Sequence, residues 1–269
     1  MSIIQYGIRF FRIGLILLLI VIFLRDRPLQ QTAVPVSLTA SSSVKIMTFN
    51  IHHGKGLDGR INIQRIIGVL AQEKADIIVL QEVDRYQLRS GMVDQAQEIA
   101  RGLAMNYCFS ASLTAGFGEY GNMILSKHPI LEHQAVRLPG IREDRSLLSA
   151  VISIHEQEVT ILATHLGVRA QERKQHMSLV LGAAAQLQGP TIIAGDFNMR
   201  ADDVLLKEFI EYYPSAQFSD SLSKAIPFGE IDLLFSNLSQ VGFATALPTR
   251  SSDHFPVIAR FRLNSGVQV

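Results

Sequence analysis

Hydrophobic positions from Val44 onward follow two periods, one of two residues and one of three to four. Short runs rich in Val, Ile, Leu and Phe are typical of buried strands, and longer segments with apolar residues three or four apart are typical of amphipathic helices. The predicted strands are Lys45–Phe49, Asp76–Leu80, Asn122–Leu125, Leu147–Ile154, Val159–Ala163, Ile192–Ala194, Ile231–Phe235 and Val257–Phe261. The predicted helices are Ile63–Glu73, Asp94–Leu103, Arg169–Gln188 and Asp203–Tyr212.

Several of these strands are separated by short turns rather than by helices. A purely parallel, doubly wound sheet needs a long crossover between neighbouring strands, so this spacing argues against it. The order of elements instead predicts an α/β protein in which two mixed β-sheets pack face to face with helices outside.

Residues 1–28 differ in composition from the rest. An uninterrupted apolar run of 12 residues, Ile13–Leu24, follows Arg12 and precedes Arg25–Pro28. A span needs about 20 residues, but extension back to Ile8, with the Arg12 side chain reaching the headgroups, gives a marginal span of about 17. We favour a membrane anchor; a signal peptide is the alternative, although no small-residue cleavage motif follows the run, and a buried helix is a third reading.

Residues 29–43 are rich in Gln, Thr, Ser, Ala and Pro without periodicity and are predicted to be a linker. Residues 44–269 are then one α/β domain, for which a monomer is expected. The basic N-terminus favours export of this domain, so we expect it to be membrane-anchored and extracytoplasmic, or secreted if the segment is cleaved. The single cysteine, Cys108, excludes an internal disulfide.

The net charge of +1 conceals an uneven distribution. Residues 1–43 hold four arginines and one aspartate, which leaves 21 basic and 23 acidic residues in the domain, a charge of about −2. Proteins that follow a nucleic-acid backbone usually gather excess Lys and Arg on one face. This balance disfavours a long polyanion as the partner and favours a smaller phosphate ester.

Polar side chains recur where six of the apolar strands begin or end. Any one of them is typical of a turn or a helix cap. Because strand ends along one edge of a sandwich can converge on a single cleft, six together indicate a shared site. These residues are Asn50, Glu82, His165, Asp196 with Asn198, Asp232, and Asp253 with His254.

Four of these residues are carboxylates: Glu82, Asp196, Asp232 and Asp253. Ionised carboxylates repel one another at close range, so a cation or a nearby histidine must offset the repulsion. Oxygen ligands without accessible thiols select a hard ion, which predicts Mg²⁺ or Mn²⁺ rather than zinc.

Seven short motifs occur in order along residues 44–262. They are Thr-Phe-Asn-Ile (48–51), Leu-Gln-Glu-Val-Asp (80–84), Gly-Asn-Met-Ile-Leu-Ser (121–126), Thr-His-Leu-Gly (164–167), Gly-Asp-Phe-Asn (195–198), Ile-Asp-Leu-Leu-Phe (231–235) and Ser-Asp-His-Phe-Pro (252–256). This ordered set resembles the endonuclease/exonuclease/phosphatase superfamily, which includes pancreatic-type deoxyribonucleases, abasic-site endonucleases, inositol polyphosphate 5-phosphatases and bacterial sphingomyelinases. The resemblance implies a four-layered α/β sandwich and a divalent-metal-dependent phosphoesterase.

The resemblance also implies a role for each matching residue. Glu82 looks like the principal metal ligand, with Asn50 and Asp253 beside it. Asp196 resembles the residue that aligns or deprotonates the attacking water, and Asn198 supports the same oxygen region. A carboxylate that accepts the proton of water helps because water is a weak nucleophile at neutral pH.

Two histidines match the family as well. His254 looks like the histidine that contacts the scissile phosphate, and Asp232 looks like the carboxylate that fixes its tautomer. His165 matches the other histidine of the nuclease and sphingomyelinase branches, where it donates to a phosphate oxygen or to the leaving group. A histidine paired with aspartate keeps one ring nitrogen protonated toward the substrate.

Further residues are weaker candidates for phosphate binding. Asn122 and Arg145 stand at positions that resemble those beside the family's cleft, and the alternative for Arg145 is a surface ion pair. His52 and His53 follow the first strand. Adjacent residues of an extended chain point in opposite directions, so we expect only one to face the substrate and assign His53 to the site.

The favoured substrate is a phosphodiester in a lipid headgroup or another small molecule. The domain is slightly acidic, and the Thr-Phe-Asn-Ile-His-His-Gly opening resembles the branch of sphingomyelinase-like and glycosylphosphatidylinositol lipid-remodelling proteins. The enzymatic alternative is a nuclease acting on DNA or RNA, and a non-catalytic binding module is the alternative of another class. Loops rather than the metal centre decide between substrates.

Overall fold

The computed structural model describes residues 42–219 and 231–263. The predicted membrane segment and nearly all of the predicted linker lie outside these residues. Within the two described ranges, no helix is both long enough and apolar enough to cross a bilayer.

Six strands form the first sheet. They are β1 (Ser43–Asn50), β2 (Ile77–Arg85), β3 (Asn106–Ala115), β4 (Gly118–Ser126), β10 (Thr245–Ala246) and β11 (Val257–Arg262). Their order across the sheet is β10, β11, β1, β2, β4, β3. The β1–β2 pair is parallel and the other pairs are antiparallel, so the sheet is mixed.

Five strands form the second sheet in sequential order. They are β5 (Ile130–Leu138), β6 (Arg145–Ile154), β7 (Gln157–His165), β8 (Thr191–Asp196) and β9 (Asp232–Ser236). The β7–β8 pair is parallel and its neighbours are antiparallel, so this sheet is mixed too.

Alternation along the central strands builds a core on both faces of each sheet. In β2, Ile77 and Val79 pack between the two sheets, whereas Ile78 and Leu80 pack on the opposite face. This follows from the two-residue period of strand side chains. Because both faces are buried, the strand is a continuous apolar run in the sequence.

Helices cover the two outer faces. The helices α1 (Ile63–Glu73) and α2 (Gln95–Leu103) pack on the first sheet, and α3 (Ala170–Ala184) and α4 (Lys207–Tyr212) pack on the second. The side chains of Asn62 and Asp94 cap α1 and α2 by accepting backbone N–H groups of the first turn. The predicted four-layered sandwich with two mixed sheets is confirmed.

Three strands and parts of two helices differ from the sequence prediction. The unpredicted strands are β3, β5 and β10. Strand β5 is almost wholly exposed along its length, so it lacks the apolar alternation that marks a strand. Helix α3 ends at Ala184, short of the predicted Gln188, and a 3₁₀ turn at Val204–Leu206 replaces the predicted first turn of α4.

Candidate active site

Strand ends place the polar residues of the site at one end of the sandwich. In the second sheet, Asp196 at the end of β8 lies opposite His165 on β7 and opposite Asp232 on β9. In the first sheet, Asn50 at the end of β1 pairs with Gln81, the residue before Glu82.

Asn50 connects the carboxylates of the two sheets. Its Nδ2 donates to Glu82 Oε1 at 3.0 Å and to Asp196 Oδ2 at 3.1 Å. Its Oδ1 accepts the backbone N–H of His52 at 3.0 Å, and the side chain is almost fully buried. An amide supplies both donors and an acceptor, so Asn50 satisfies all three partners at once.

A bulge in β2 directs Glu82 toward the site. The pairing of β2 with β4 shifts register between Leu80 and Val83, and Glu82 has a φ of 60°. That conformation is uncommon for a residue with a Cβ. Bulges bend a strand and re-aim a side chain, which here brings the carboxylate to Asn50.

Asp232 holds the ring of His254. The His254 Nδ1 lies 2.7 Å from Asp232 Oδ2, which leaves Nε2 3.8 Å from Asp196 Oδ2. Burial opposes a charge on the ring, but the hydrogen bond to Asp232 and the charges of Asp232, Asp196 and Asp253 outweigh burial and raise the pKa of His254 to about 9. The imidazole of the metal-free protein is therefore protonated at neutral pH.

Asp196 is buried at the centre of the network. Burial, and then the charge of Asp232, raise the pKa of the Asp196 carboxyl to about 7. Its Oδ1 accepts the backbone N–H of Asn198 at 2.9 Å, and its Oδ2 lies 3.5 Å from His165 Nε2. The Asn198 side chain in turn donates to the carbonyl of Leu166 at 2.8 Å. A raised pKa makes this carboxylate a better proton acceptor.

His165 and Arg145 form the other side of the cleft. Burial, and then the charges of Arg145 and His254, hold the pKa of His165 well below its usual range, so its ring is neutral. The Arg145 side chain is only 11% exposed, pairs with Glu143 Oε1 at 2.6 Å and donates to the hydroxyl of Tyr120 at 3.4 Å. Arg145 is thus a largely buried cation that is paired with the partly exposed Glu143, and phosphate binding by Arg145 stays a prediction.

Asn122 is buried between the two sheets. Its Nδ2 donates to the carbonyl of Ser146 at 2.9 Å and to the hydroxyl of the same residue at 3.2 Å. Because Asn122 is on β4 and Ser146 is on β6, these bonds join the two sheets. A phosphate contact by Asn122 stays a prediction.

The chain after β1 does not follow the extended path that the sequence prediction assumed. Residues His52–Gly54 form a 3₁₀ turn, and both His52 and His53 have a φ of 45°. The two rings meet edge to face, 4.5 Å apart. His52 Nδ1 lies 3.3 Å from Asp253 Oδ1, and His53 Nδ1 lies 3.9 Å from Glu82 Oε2. Both histidines therefore face the site, and the expectation that only one does is wrong.

Comparison with known proteins identifies the family. A family model described as the endonuclease/exonuclease/phosphatase family matches residues 47–254. The chain belongs to this family. Family members are metal-dependent phosphoesterases, so this chain is a hydrolase of phosphoester bonds.

Individual proteins resemble this chain in sequence or in fold. UPF0294 protein plu0699 of Photorhabdus laumondii is 25% identical over 248 residues, covering 83% of this chain and 85% of that protein. An endonuclease/exonuclease/phosphatase structure from Beutenbergia cavernae has a TM-score of 0.69 at 23% identity, covering 82% of this chain and 72% of that one. The human Nocturnin catalytic domain with bound sulfate anion has a TM-score of 0.64 at 18% identity, covering 81% and 93%. These two structural likenesses show the shared fold.

Two groups of side chains in this member of the endonuclease/exonuclease/phosphatase family fit a divalent metal ion. Within each group the ligand atoms lie within 4.8 Å of one another. The groups are His52, His53 and Glu82, and Asp196, Asp232 and His254. Among the described residues, the buried His53 Nδ1 and Asp232 Oδ1 have no hydrogen-bond partner. Buried polar atoms are rarely left unpaired, so an unpaired atom in each group is consistent with binding of a cation.

The predicted metal ligands take different positions around these groups. Glu82 belongs to the first group. Asn50 turns its nitrogen to the carboxylates while its oxygen accepts from His52, and Asp253 lies beside His52 rather than beside Glu82. The histidine pair therefore joins the candidate ligands, and metal binding by Asn50 and Asp253 stays a prediction.

Proposed function

We propose that this protein hydrolyses a phosphodiester in a lipid headgroup or another small molecule, with Mg²⁺ or Mn²⁺ as its cofactor. The proposal depends on one observation. The Asn50 amide joins Glu82 of one sheet to Asp196 of the other, and Asp196 adjoins the His254–Asp232 pair. The negative charge of the domain, about −2 for residues 44–269, favours a small ester over a long polyanion.

Asp196 has the properties of the group that activates water. Its raised pKa suits proton acceptance, and the backbone of Asn198 and the side chain of Asn50 fix both carboxylate oxygens. The water oxygen forms the new bond to phosphorus while its proton passes to Asp196. Such a positioned base contributes about 10²–10⁴-fold to the rate.

The histidines suit the role of hydrogen-bond donors to the phosphate. Asp232 occupies Nδ1 of His254, so the protonated Nε2 is free to donate to a phosphoryl oxygen. His165 is neutral and adjoins Asp196, so its ring N–H can donate a hydrogen bond to the oxygen that leaves as the P–O bond breaks, while that oxygen takes up a proton from water. Arg145 adds a largely buried positive charge on the same side of the cleft.

The candidate cofactor adds electrostatic stabilisation. A divalent ion held by Glu82 and the His52–His53 pair, with Asn50 and Asp253 nearby, would stabilise charge that develops on the phosphoryl oxygens. The preference for Mg²⁺ or Mn²⁺ rests on the carboxylate oxygens of Glu82 and of the nearby Asp253. Of these two ions, Mn²⁺ accepts imidazole ligands more readily.

The composition of the N-terminal segment is the basis for proposing that this activity is located at a membrane. We expect residues 1–28 to anchor the protein with its domain exported, or to be removed on secretion. Cell fractionation, together with N-terminal sequencing of the mature protein, distinguishes the two. An N-terminus at Met1 in the membrane fraction is expected, and a mature N-terminus beyond residue 28 in the soluble fraction would contradict the anchor.

Hydrolysis of bis(p-nitrophenyl) phosphate with Mg²⁺ or Mn²⁺, compared with EDTA, tests the reaction. Metal-dependent release of p-nitrophenol is expected, and its abolition by His254→Ala would tie it to this site. No release with any metal would favour the non-catalytic binding module. A parallel assay on plasmid DNA and phospholipid vesicles tests the substrate class, and DNA cleavage far faster than lipid cleavage would favour the nuclease.

A further inference from the structure

A second cleft lies beside the site, between the segment that follows β2 and the turn between β3 and β4. It has a volume of about 480 Å³. Its apolar lining consists of Tyr86, Leu88, Met92, Leu113 and Phe117. Leu88 is 85% exposed and Phe117 is 92% exposed, so both present nearly the whole side chain to the surface. Contiguous exposed apolar side chains usually mark a binding surface.

The walls of this apolar cleft are held in place. Arg89 donates to both oxygens of the fully buried Asp84, at 2.7 and 2.9 Å. Tyr86 and Met92, at the two ends of the segment, have left-handed φ values of 55° and 59°. A Cβ at Gly118 would lie 2.9 Å from the end of the flexible Gln87 side chain, so the turn packs closely against this segment. Strain that the surrounding structure maintains is typical of functional segments.

The apolar cleft shares a wall with the catalytic site. Arg89, which lines the cleft, stacks over the ring of Tyr120 at 5.1 Å, and the Tyr120 hydroxyl accepts from Arg145. A group attached to a phosphate in the site can therefore extend past Arg89 into the cleft.

We propose that the apolar cleft binds the aliphatic chain of a phosphodiester whose phosphate lies in the catalytic site. This inference rests on the proposed function and narrows its substrate to amphiphilic esters. Leu88, Met92 and Leu113 offer aliphatic contact. Besides the Tyr86 hydroxyl, the polar side chains of the lining are Gln87 and Arg89, and Arg89 is already paired with Asp84. Few groups are left to hydrogen-bond a base edge, so a nucleobase is the less suitable occupant.

A series of alkyl p-nitrophenyl phosphates tests the proposal. The methyl, butyl and octyl esters share one leaving group, so differences in kcat/KM report the alkyl chain alone. A fully buried methylene contributes about fourfold to binding. Even with partial burial, we expect kcat/KM to rise at least about tenfold from methyl to octyl. A flat series would overturn the proposal while leaving the proposed hydrolysis intact.

The combined Leu88→Ser and Phe117→Ser variant should remove most of this rise without changing the methyl ester rate. Both side chains are too exposed to support the core. Phe243→Ser is the matched control, because Phe243 is 68% exposed and precedes β10 at the opposite edge of the first sheet. An unchanged octyl-to-methyl ratio in the double variant would overturn the proposal.

Two further measurements distinguish a failure of the apolar cleft proposal from a failure of the proposed hydrolysis. Binding of n-octyl phosphate, followed by calorimetry, should weaken at least about fivefold in the double variant even if no ester is hydrolysed. If no ester is hydrolysed but the double variant still binds n-octyl phosphate more weakly, the proposed function is contradicted and the proposal for the apolar cleft is not. Thymidine 5′-(p-nitrophenyl phosphate) serves as the base-bearing ester. A larger effect of the double variant on this ester than on the octyl ester would assign the cleft to a base and overturn the proposal.

Discussion

The side-chain amide of Asn50 donates to Asp196 across the two sheets, with 3.1 Å between Nδ2 and Oδ2. The two residues are 146 positions apart in the chain. Each ends a strand of a different sheet, so their contact exists only when the sandwich is packed. The candidate site is therefore a product of sheet packing rather than of a local motif.

Replacement of Asp196 by Asn should separate activity from stability. Turnover should fall at least about 10²-fold, because the proton acceptor is lost. The raised pKa of Asp196 means that folding disfavours its ionised form, so the variant should be more stable than the wild type in EDTA near pH 8, by about 1 kcal/mol or more. Phosphodiester turnover and urea denaturation measure the two effects.

The same change at Asp202, whose side chain is 77% exposed, is the control for Asp196→Asn. Asp202→Asn should change neither the turnover nor the unfolding free energy. Wild-type turnover in Asp196→Asn would remove this carboxylate from the reaction. A large loss of stability would show that Asp196 supports the fold instead.

The positions of the strand-end residues could be inferred from the sequence because burial determines which strands are central. Asp196 and His165 each follow a strand with apolar residues on both faces, and such strands must be central. The ends of central strands that pair in register lie together, as Asp196 and Asp232 do. Strand β5 could not be predicted in this way, because it is an exposed edge strand and its sequence carries little apolar pattern. The sequence also did not show which strands belong to which sheet.

The histidine pair and the apolar cleft could not be predicted in this way. A left-handed φ at His52 and His53 leaves only a weak sequence signal, because a positive φ is uncommon for residues other than glycine even though histidine adopts it more often than most. The cleft forms where Leu88 and Phe117 come together, and that contact depends on how β2 and β4 pair.

Replacement of Glu82 by Gln should weaken metal binding. Mg²⁺ or Mn²⁺ at about 100 times its dissociation constant should stabilise the wild-type fold by about 2.7 kcal/mol, because the ion binds only the folded state. Glu82→Gln should lose most of this gain, since a neutral amide is a poorer ligand than a carboxylate. Thermal unfolding with and without metal measures the difference, with the exposed Glu158→Gln as control. Equal stabilisation of both variants would place the metal elsewhere.

The stability of the metal-free protein should fall as the pH rises above neutrality. The pKa of His254 is raised from 6.5 to about 9 on folding, so its contribution is fully present below about pH 6.5 and is lost as the pH rises through 9. His254→Gln should lack this contribution. The difference in unfolding free energy between wild type and variant should therefore shrink from about pH 6.5 to about pH 9.5, as measured by urea denaturation in EDTA.

The matched control for His254→Gln is His133→Gln, because His133 is exposed. His133→Gln should leave the pH slope of the wild type unchanged. A constant difference between wild type and His254→Gln across the pH range would show that Asp232 does not stabilise a protonated His254.

Gly195→Ala should disrupt the alignment of the two catalytic strands of the second sheet. Gly195 precedes Asp196, has a φ of 152°, and a Cβ there would lie 1.9 Å from the carbonyl oxygen of Thr164, the residue before His165. The strands must separate to relieve this clash, so we expect a loss of about 3 kcal/mol or more in unfolding free energy together with a loss of turnover. Gly182→Ala is the control, because nothing lies within 4 Å of a Cβ at this position in α3. Gly182→Ala should instead raise the unfolding free energy by about 0.5–1 kcal/mol, because alanine has a higher helix propensity than glycine.

Equal effects of the two substitutions would show that the close approach of β7 to β8 is not what positions Asp196.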